Sequence, residues 1–102
     1  MKISILCVGG SPLLVSEKTI YGDGVQLGVG GAELSLLTMC KVWYEYGHDV
    51  TLYNNPREMG ASCFKQGSDA HFNPDEDRDI LIYFRGSHPK GINAKGKKIW
   101  WS

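Results

Sequence analysis

Two short apolar runs constrain this chain more than anything else in it. From Ile3 to Val8 the residues are almost all apolar, and Gly9-Gly10 stops the run. Asp79 to Phe84 (Asp-Ile-Leu-Ile-Tyr-Phe) repeats the pattern with branched and aromatic residues, which favour strands. A strand with one wet face alternates apolar and polar residues. Unbroken runs of this length instead fit strands buried on both faces, as in a parallel sheet covered by helices. The first run is also too short for a secretory core of ~7–15 apolar residues behind a basic start, or for a membrane span of ~18 or more.

Between these runs the periodicity changes. Gly31 to Tyr46 places Leu36, Met39, Cys40 and Trp43 at three- and four-residue spacing, which predicts a helix with one apolar face. Glu33 falls in its first turn, where a carboxylate suits the helix dipole, and Gly47 is placed to stop it. Asp49 to Tyr53 reads as a second strand, closed by Asn54-Asn55-Pro56. Strand, helix and strand in that order form a βαβ unit with parallel strands. Arg57 to Arg78 is weakly patterned, with a short strand expected near Cys63 to Lys65. Lys98 to Trp101 reads as a last strand. The expected fold is therefore α/β, a Rossmann-like parallel sheet flanked by helices.

At 102 residues the chain holds one domain at most. Its 42 % hydrophobic and 22 % charged content excludes a disordered chain, a collagen repeat and a coiled coil. Eleven Lys and Arg balance eleven Asp and Glu, and the densest basic cluster is only Lys95, Lys97 and Lys98. Duplex binding needs a basic excess on one face, so no nucleic-acid partner is expected. Cys7, Cys40 and Cys63 are odd in number and lack Cys-x-x-Cys spacing. Reduced cysteines packed as small hydrophobes, in a cytoplasmic protein, are the expectation.

Gly9 to Gly30 is too long to be a plain connection; loops beyond ~12–15 residues are usually functional or mobile. Its end, Gly28-Val-Gly-Gly-Ala-Glu33, runs into the helix, where free N–H groups and the dipole favour phosphate or carboxylate. The run is either a ligand loop or a helix entry that needs glycine for geometry. It is not the dinucleotide fingerprint, which needs a tight turn directly after the strand, and it lacks the Gly-Lys-Ser/Thr of a P-loop. That argues against an ordinary dinucleotide oxidoreductase. Asp75, Asp77 and Asp79 mimic the start of a calcium loop, but Ile80 and Gly86 stand where its glycine and glutamate belong. A solvated acidic turn is the better reading, and no metal site is expected. His48 reads as a cap or packing residue at the helix end. Arg85 and His88 follow a buried strand, at the edge where open α/β sheets hold ligands. Arg85 could fork onto a phosphate or carboxylate and His88 could meet a hydroxyl, or both could face solvent.

Gly30-Gly31-Ala32-Glu33, an amphipathic helix, and then Gly47-His48-Asp49-Val50-Thr51 together resemble the opening of the N-terminal domain in GT-B glycosyltransferases of family 4. That family reads Gly-Gly-Ala-Glu, a helix, then Gly-His-Glu-Val-Thr, and the match runs without a gap from Gly30 to Thr51. The resemblance implies a metal-free, cofactor-free retaining enzyme of two Rossmann-like halves with its site in the cleft between them. Residues 1–102 would be part of the N-terminal, acceptor-side domain, with the donor-binding domain absent. Gly30 and Gly31 would offer backbone amides near the donor diphosphate or sugar. Arg85, His88 and, more weakly, Ser11 are candidates toward the acceptor. The family's glutamate-bearing donor motif has no counterpart here, and its N-terminal-domain histidine would fall after Ser102. No catalytic residue is therefore assigned, and the chain alone is expected to be inactive. The nucleotide sugar and acceptor would be ligands of the full-length enzyme.

Trp100-Trp101-Ser102 fits a fragment whose aromatics are covered by something further. The alternative is a free-standing, non-catalytic Rossmann-like subunit that binds a partner chain or an anionic ligand. Its mark would be an exposed apolar surface around Trp100 and Trp101.

Overall fold

Ile3–Cys7 of the first apolar run and Ile80–Phe84 of the second lie in inner strands of a sheet, and Val8 lies outside the described residues. A computed structural model describes residues 1–7, 31–54, 63–84, 86 and 89–101. Within these, β1 (Lys2–Cys7), α1 (Gly31–Glu45), β2 (Asp49–Tyr53), β3 (Lys65–Gly67), β4 (Ile80–Phe84) and β5 (Lys97–Trp101) follow one another along the chain. Three-residue 3₁₀ turns at Asp69–His71 and Pro89–Gly91 interrupt the connections before β4 and β5. The five strands form one sheet in the order β3-β2-β1-β4-β5, and every pairing is parallel.

β1 lies at the centre, with Ile5 opposite Leu52 on one side and Ile82 on the other. Alternation then sorts the side chains. Ile3, Ile5, Cys7, Val50, Leu52, Ile82 and Phe84 pack with Leu36, Leu37 and Cys40 of α1 in one core. Each such aliphatic side chain, once fully buried, contributes about 1.5–3 kcal/mol. The inward stripe of α1 is broader than expected: Leu37 is fully buried, while Met39 is only half-buried. Glycine ends the helix as its sequence implies. Gly47 takes a φ of +91°, its N–H donates to the Tyr44 carbonyl (2.9 Å), and the His48 N–H donates to that of Trp43 (3.1 Å). This pair of bonds is a Schellman ending, so His48 caps through its backbone.

The opposite face carries a second core of Leu6, Tyr53, Leu81 and Tyr83 under Phe72 and Ala94. Phe72 meets Tyr53 edge-on, with centroids 5.2 Å apart. Among the described residues this cover is irregular chain, and the one α-helix is α1 on the other side. Among the described residues the sheet is thus flanked by a helix on one face.

Three strand boundaries also move. β3 begins two residues later than expected, at Lys65, because pairing with β2 starts at Thr51; Phe64 turns into the helix-side core instead. β4 begins at Ile80, since the Asp79 carboxylate accepts a hydrogen bond from the Lys2 backbone N–H (2.7 Å). β5 begins one residue early, at Lys97, whose N–H donates to the Asp79 carbonyl (2.9 Å).

Candidate functional site at the strand C-termini

Strand order locates the site. From β1 the chain runs outward through β2 to β3, then returns across β1 to form β4 and β5 on its other side. Chain order thus runs away from the β1–β4 boundary on both sides, from β1 to β2 and from β4 to β5. Open parallel sheets hold ligands in the crevice outside the carboxyl ends at such a reversal. Cys7 and Phe84, which are register partners, end β1 and β4 at this edge, and both are buried in the helix-side core. α1 points the same way. Its C-terminal end meets the start of β2 through Gly47 and His48, and its 15 residues span about 22 Å. Its N-terminus at Gly31 consequently lies toward the carboxyl end of the sheet, bringing the free N–H groups and positive dipole end of the first turn with it.

Of the residues singled out from sequence, Gly31 is the first residue of α1. Gly30, Ser11, Arg85 and His88 lie outside the described residues. Arg85 follows Phe84 directly in sequence, and β4 ends at this edge. Asn54, not anticipated from sequence, is wholly buried just beyond β2 at the same edge. Its amide oxygen accepts from Gln66 Nε2 (3.2 Å) and its N–H donates to the Gly67 carbonyl (3.0 Å). Followed by Asn55 and Pro56, it carries the residue signature of a turn, which hid its buried role.

The amino ends of the strands are built differently. Glu76 pairs with the Lys2 ammonium, Asp77 with Lys95 (3.2 Å), and Asp49 with Lys65 (3.3 Å). The acidic turn is thus employed in holding the start of β1 and the approach to β5. His48 Nδ1 stands 3.0 Å from the Met1 amino group. Arg78, only 7 % exposed, donates through Nε to Ser4 Oγ (3.2 Å). Its two terminal nitrogens donate to the carbonyls of Asn73 (2.6 Å), Pro74 (3.4 Å) and Lys95 (3.2 Å). The guanidinium also lies 4.4 Å over the Phe72 ring. A buried cation held by carbonyls, a hydroxyl and an aromatic face joins both irregular connections to β1. Nothing in Asp-Glu-Asp-Arg-Asp marks this arginine as the buried member.

Proton affinities follow burial. The Cys40 thiol is pushed well above its ordinary value by burial, and the neighbouring Cys7 and Cys63 thiols add to the shift. Burial likewise raises Tyr83, and burial with nearby Glu76 raises Tyr53. Lys2 is raised by its hydrogen bond to Glu76. A buried thiol held protonated is no nucleophile, so Cys40 is a packing residue.

Sheet order and parallel sense define a Rossmann-like α/β fold. No family model matches the chain, and neither a curated protein nor a solved structure matches it. No helix among the described residues is long and apolar enough to cross a membrane.

Proposed function

We propose that this chain is the front of the acceptor-side domain of a retaining glycosyltransferase that draws on a nucleotide-sugar donor. The observation that carries this reading is the β3-β2-β1-β4-β5 order. With it, the helix that starts at Gly31 and the end of β4 before Arg85 both face the carboxyl edge at the reversal beside β1. The Gly30–Thr51 resemblance supplies the chemistry.

In sugar transfer the leaving diphosphate gains charge as the glycosidic bond breaks. Fixed backbone N–H groups stabilise that charge without reorganising during the reaction. Gly30 and Gly31 serve this purpose in the proposal, because glycine lets an anion approach the backbone closely. Arg85, His88 and Ser11 bind the acceptor, Arg85 through a forked contact to an anionic group and His88 through a hydroxyl. The donor-gripping half belongs to a second domain, so this chain alone transfers nothing. In the wider enzyme, Gly31→Val should abolish transfer while leaving the fold intact, and unchanged turnover would refute the assignment.

One observation favours a second reading. Of the two residues that mark it, Trp100 is 60 % exposed on β5, as a free-standing subunit with a mating surface would require, whereas Trp101 is half-buried against the helix-side core. Reading the native gene past Ser102 separates the two. A following donor-binding half supports the enzyme, and a stop codon there favours the non-catalytic subunit.

A further inference from the structure

Two stretches of chain cover the sheet face opposite α1, residues 68–79 before β4 and residues 89–96 before β5. They are separate in sequence, yet they touch at several points. The Lys95 N–H donates to the Pro74 carbonyl (3.1 Å), and Lys95 Nζ pairs with Asp77 (3.2 Å). Arg78, from the first stretch, reaches carbonyls of both, Asn73 (2.6 Å) and Lys95 (3.2 Å), while its Nε donates to Ser4 Oγ of β1 (3.2 Å). Its stem fills the space a side chain on Gly96 would need, since an added Cβ there would lie 2.8 Å from Arg78 Cγ. Phe72 and Ala94, one from each stretch, are buried in the same core.

We propose that these two stretches form one strap, which opens from β1 and closes on it as a single unit with Arg78 as its latch. Neither half leaves alone without loss. Lifting residues 68–79 takes Arg78 from the Lys95 carbonyl and the Pro74 carbonyl from the Lys95 N–H. Lifting residues 89–96 breaks the same bonds from the other side. Either way a guanidinium only 7 % exposed loses part of the set that holds it, and a buried cation short of partners is unfavourable. Opening both halves together lets water reach the guanidinium and its carbonyls at once. The strap also opens apart from the rest of the fold. Among the described residues its core holds six buried side chains, against eleven on the α1 side, so opening it exposes less apolar surface than releasing the helix. Its turns at Asp69–His71 and Pro89–Gly91 are three residues long. Segments with little buried apolar surface open at a lower free energy than the whole molecule. The open strap bares Leu6, Tyr53, Leu81 and Tyr83. This device is independent of sugar transfer, because it is built on a face of the sheet and not on the carboxyl edge.

Hydrogen exchange of the native 102-residue chain, followed amide by amide in low denaturant, tests it. The hydrogen-bonded amides of Phe72, Ala94 and Lys95 should converge on one opening constant and one denaturant dependence. That constant should be larger by about tenfold or more than those of the β1 and β2 amides. A substitution in one half should be felt in the other. Ala94→Gly should speed exchange at Phe72 by the same factor as at Lys95. Arg78→Lys keeps the charge but loses the fork, and should speed all three amides together. The native chain and Ala94→Gly decide the matter even if Arg78→Lys does not fold. Phe72 and Lys95 opening with different denaturant dependence, or Phe72 unmoved by Ala94→Gly, overturns the single unit. Equal protection of the strap and of β1 and β2 overturns its opening apart from the fold. A folded Arg78→Lys chain with unchanged exchange at these amides overturns the latch.

Discussion

The two ends of the parallel strands differ in how they use polarity. At the amino ends Lys2, Glu76, Asp77, Asp79, Lys95 and Arg78 are engaged with one another or with backbone carbonyls. At the carboxyl ends β1, β2, β4 and β5 finish on Cys7, Tyr53, Phe84 and Trp101, and the start of α1 brings free N–H groups to the same side. One end spends its charged groups on holding irregular chain to the sheet. The other sets the start of α1 beside strands that end on apolar residues, the edge at which the proposed anionic ligand would bind. Stability and binding should accordingly separate by end.

The largest effect is expected at Arg78. Arg78→Ala takes this donor from the Lys95 carbonyl and the Ser4 hydroxyl, at about 1–3 kcal/mol for each group left buried and unpaired, while the Asn73 and Pro74 carbonyls keep the Glu76 and Lys95 backbone N–H groups. Even with partial relaxation, chemical denaturation should show a loss of about 3 kcal/mol. Arg78→Met sharpens the contrast. If methionine restores stability, packing on Phe72 holds this face rather than hydrogen bonding. Gly96 comes next. It takes a φ of +106°, and an added Cβ would lie 2.8 Å from Arg78 Cγ. Gly96→Ala should cost about 1–3 kcal/mol. Gly47→Ala meets no neighbour within 4 Å, so only its left-handed backbone is strained and the loss should be about 1 kcal/mol.

Smaller effects follow from the amino-end ion pair and from pH. Glu76→Gln should cost about 0.2–1 kcal/mol, because both partners of the Lys2 pair are about a third exposed. Cys40, Tyr53, Tyr83 and Lys2 all hold their protons more tightly in the folded chain than their ordinary values imply. Their contributions are therefore complete below those values and are lost as pH rises through and above them. Melting temperature should stay level to about pH 8.5 and fall above about pH 9–10. Cys40→Val should remove the earliest part of that fall.

Much of this architecture was legible in residue pattern. Ile3–Val8 and Asp79–Phe84 declare buried parallel strands because neither alternates, and their described parts, Ile3–Cys7 and Ile80–Phe84, lie in the inner strands β1 and β4. The spacing of Leu36, Met39, Cys40 and Trp43, with Gly47 behind, declares the helix and its stop, although Met39 is only half-buried. The face opposite α1 was not legible. Phe72 and Ala94 stand in segments without periodicity, and Arg78 is indistinguishable from a solvated charge until the carbonyls around it are in place. Local propensity carries no record of a cover assembled from two connections more than ten residues apart in sequence. Near the candidate site, the helix entry at Gly31 was recognisable from glycine spacing. Buried Asn54 was not, because an asparagine near a proline also signals an ordinary turn.

The separation of the two ends is tested most directly by titrating the isotope-labelled chain with inorganic pyrophosphate and following every backbone amide. The expected result is saturable movement of the Gly30 and Gly31 amides, with Lys2, Arg78 and Asp79 unmoved, and loss of that movement in Gly31→Val at unchanged stability. Movement centred on Lys2, Arg78 and Lys95, or none at Gly30 and Gly31, would contradict a binding edge at the carboxyl ends of the strands.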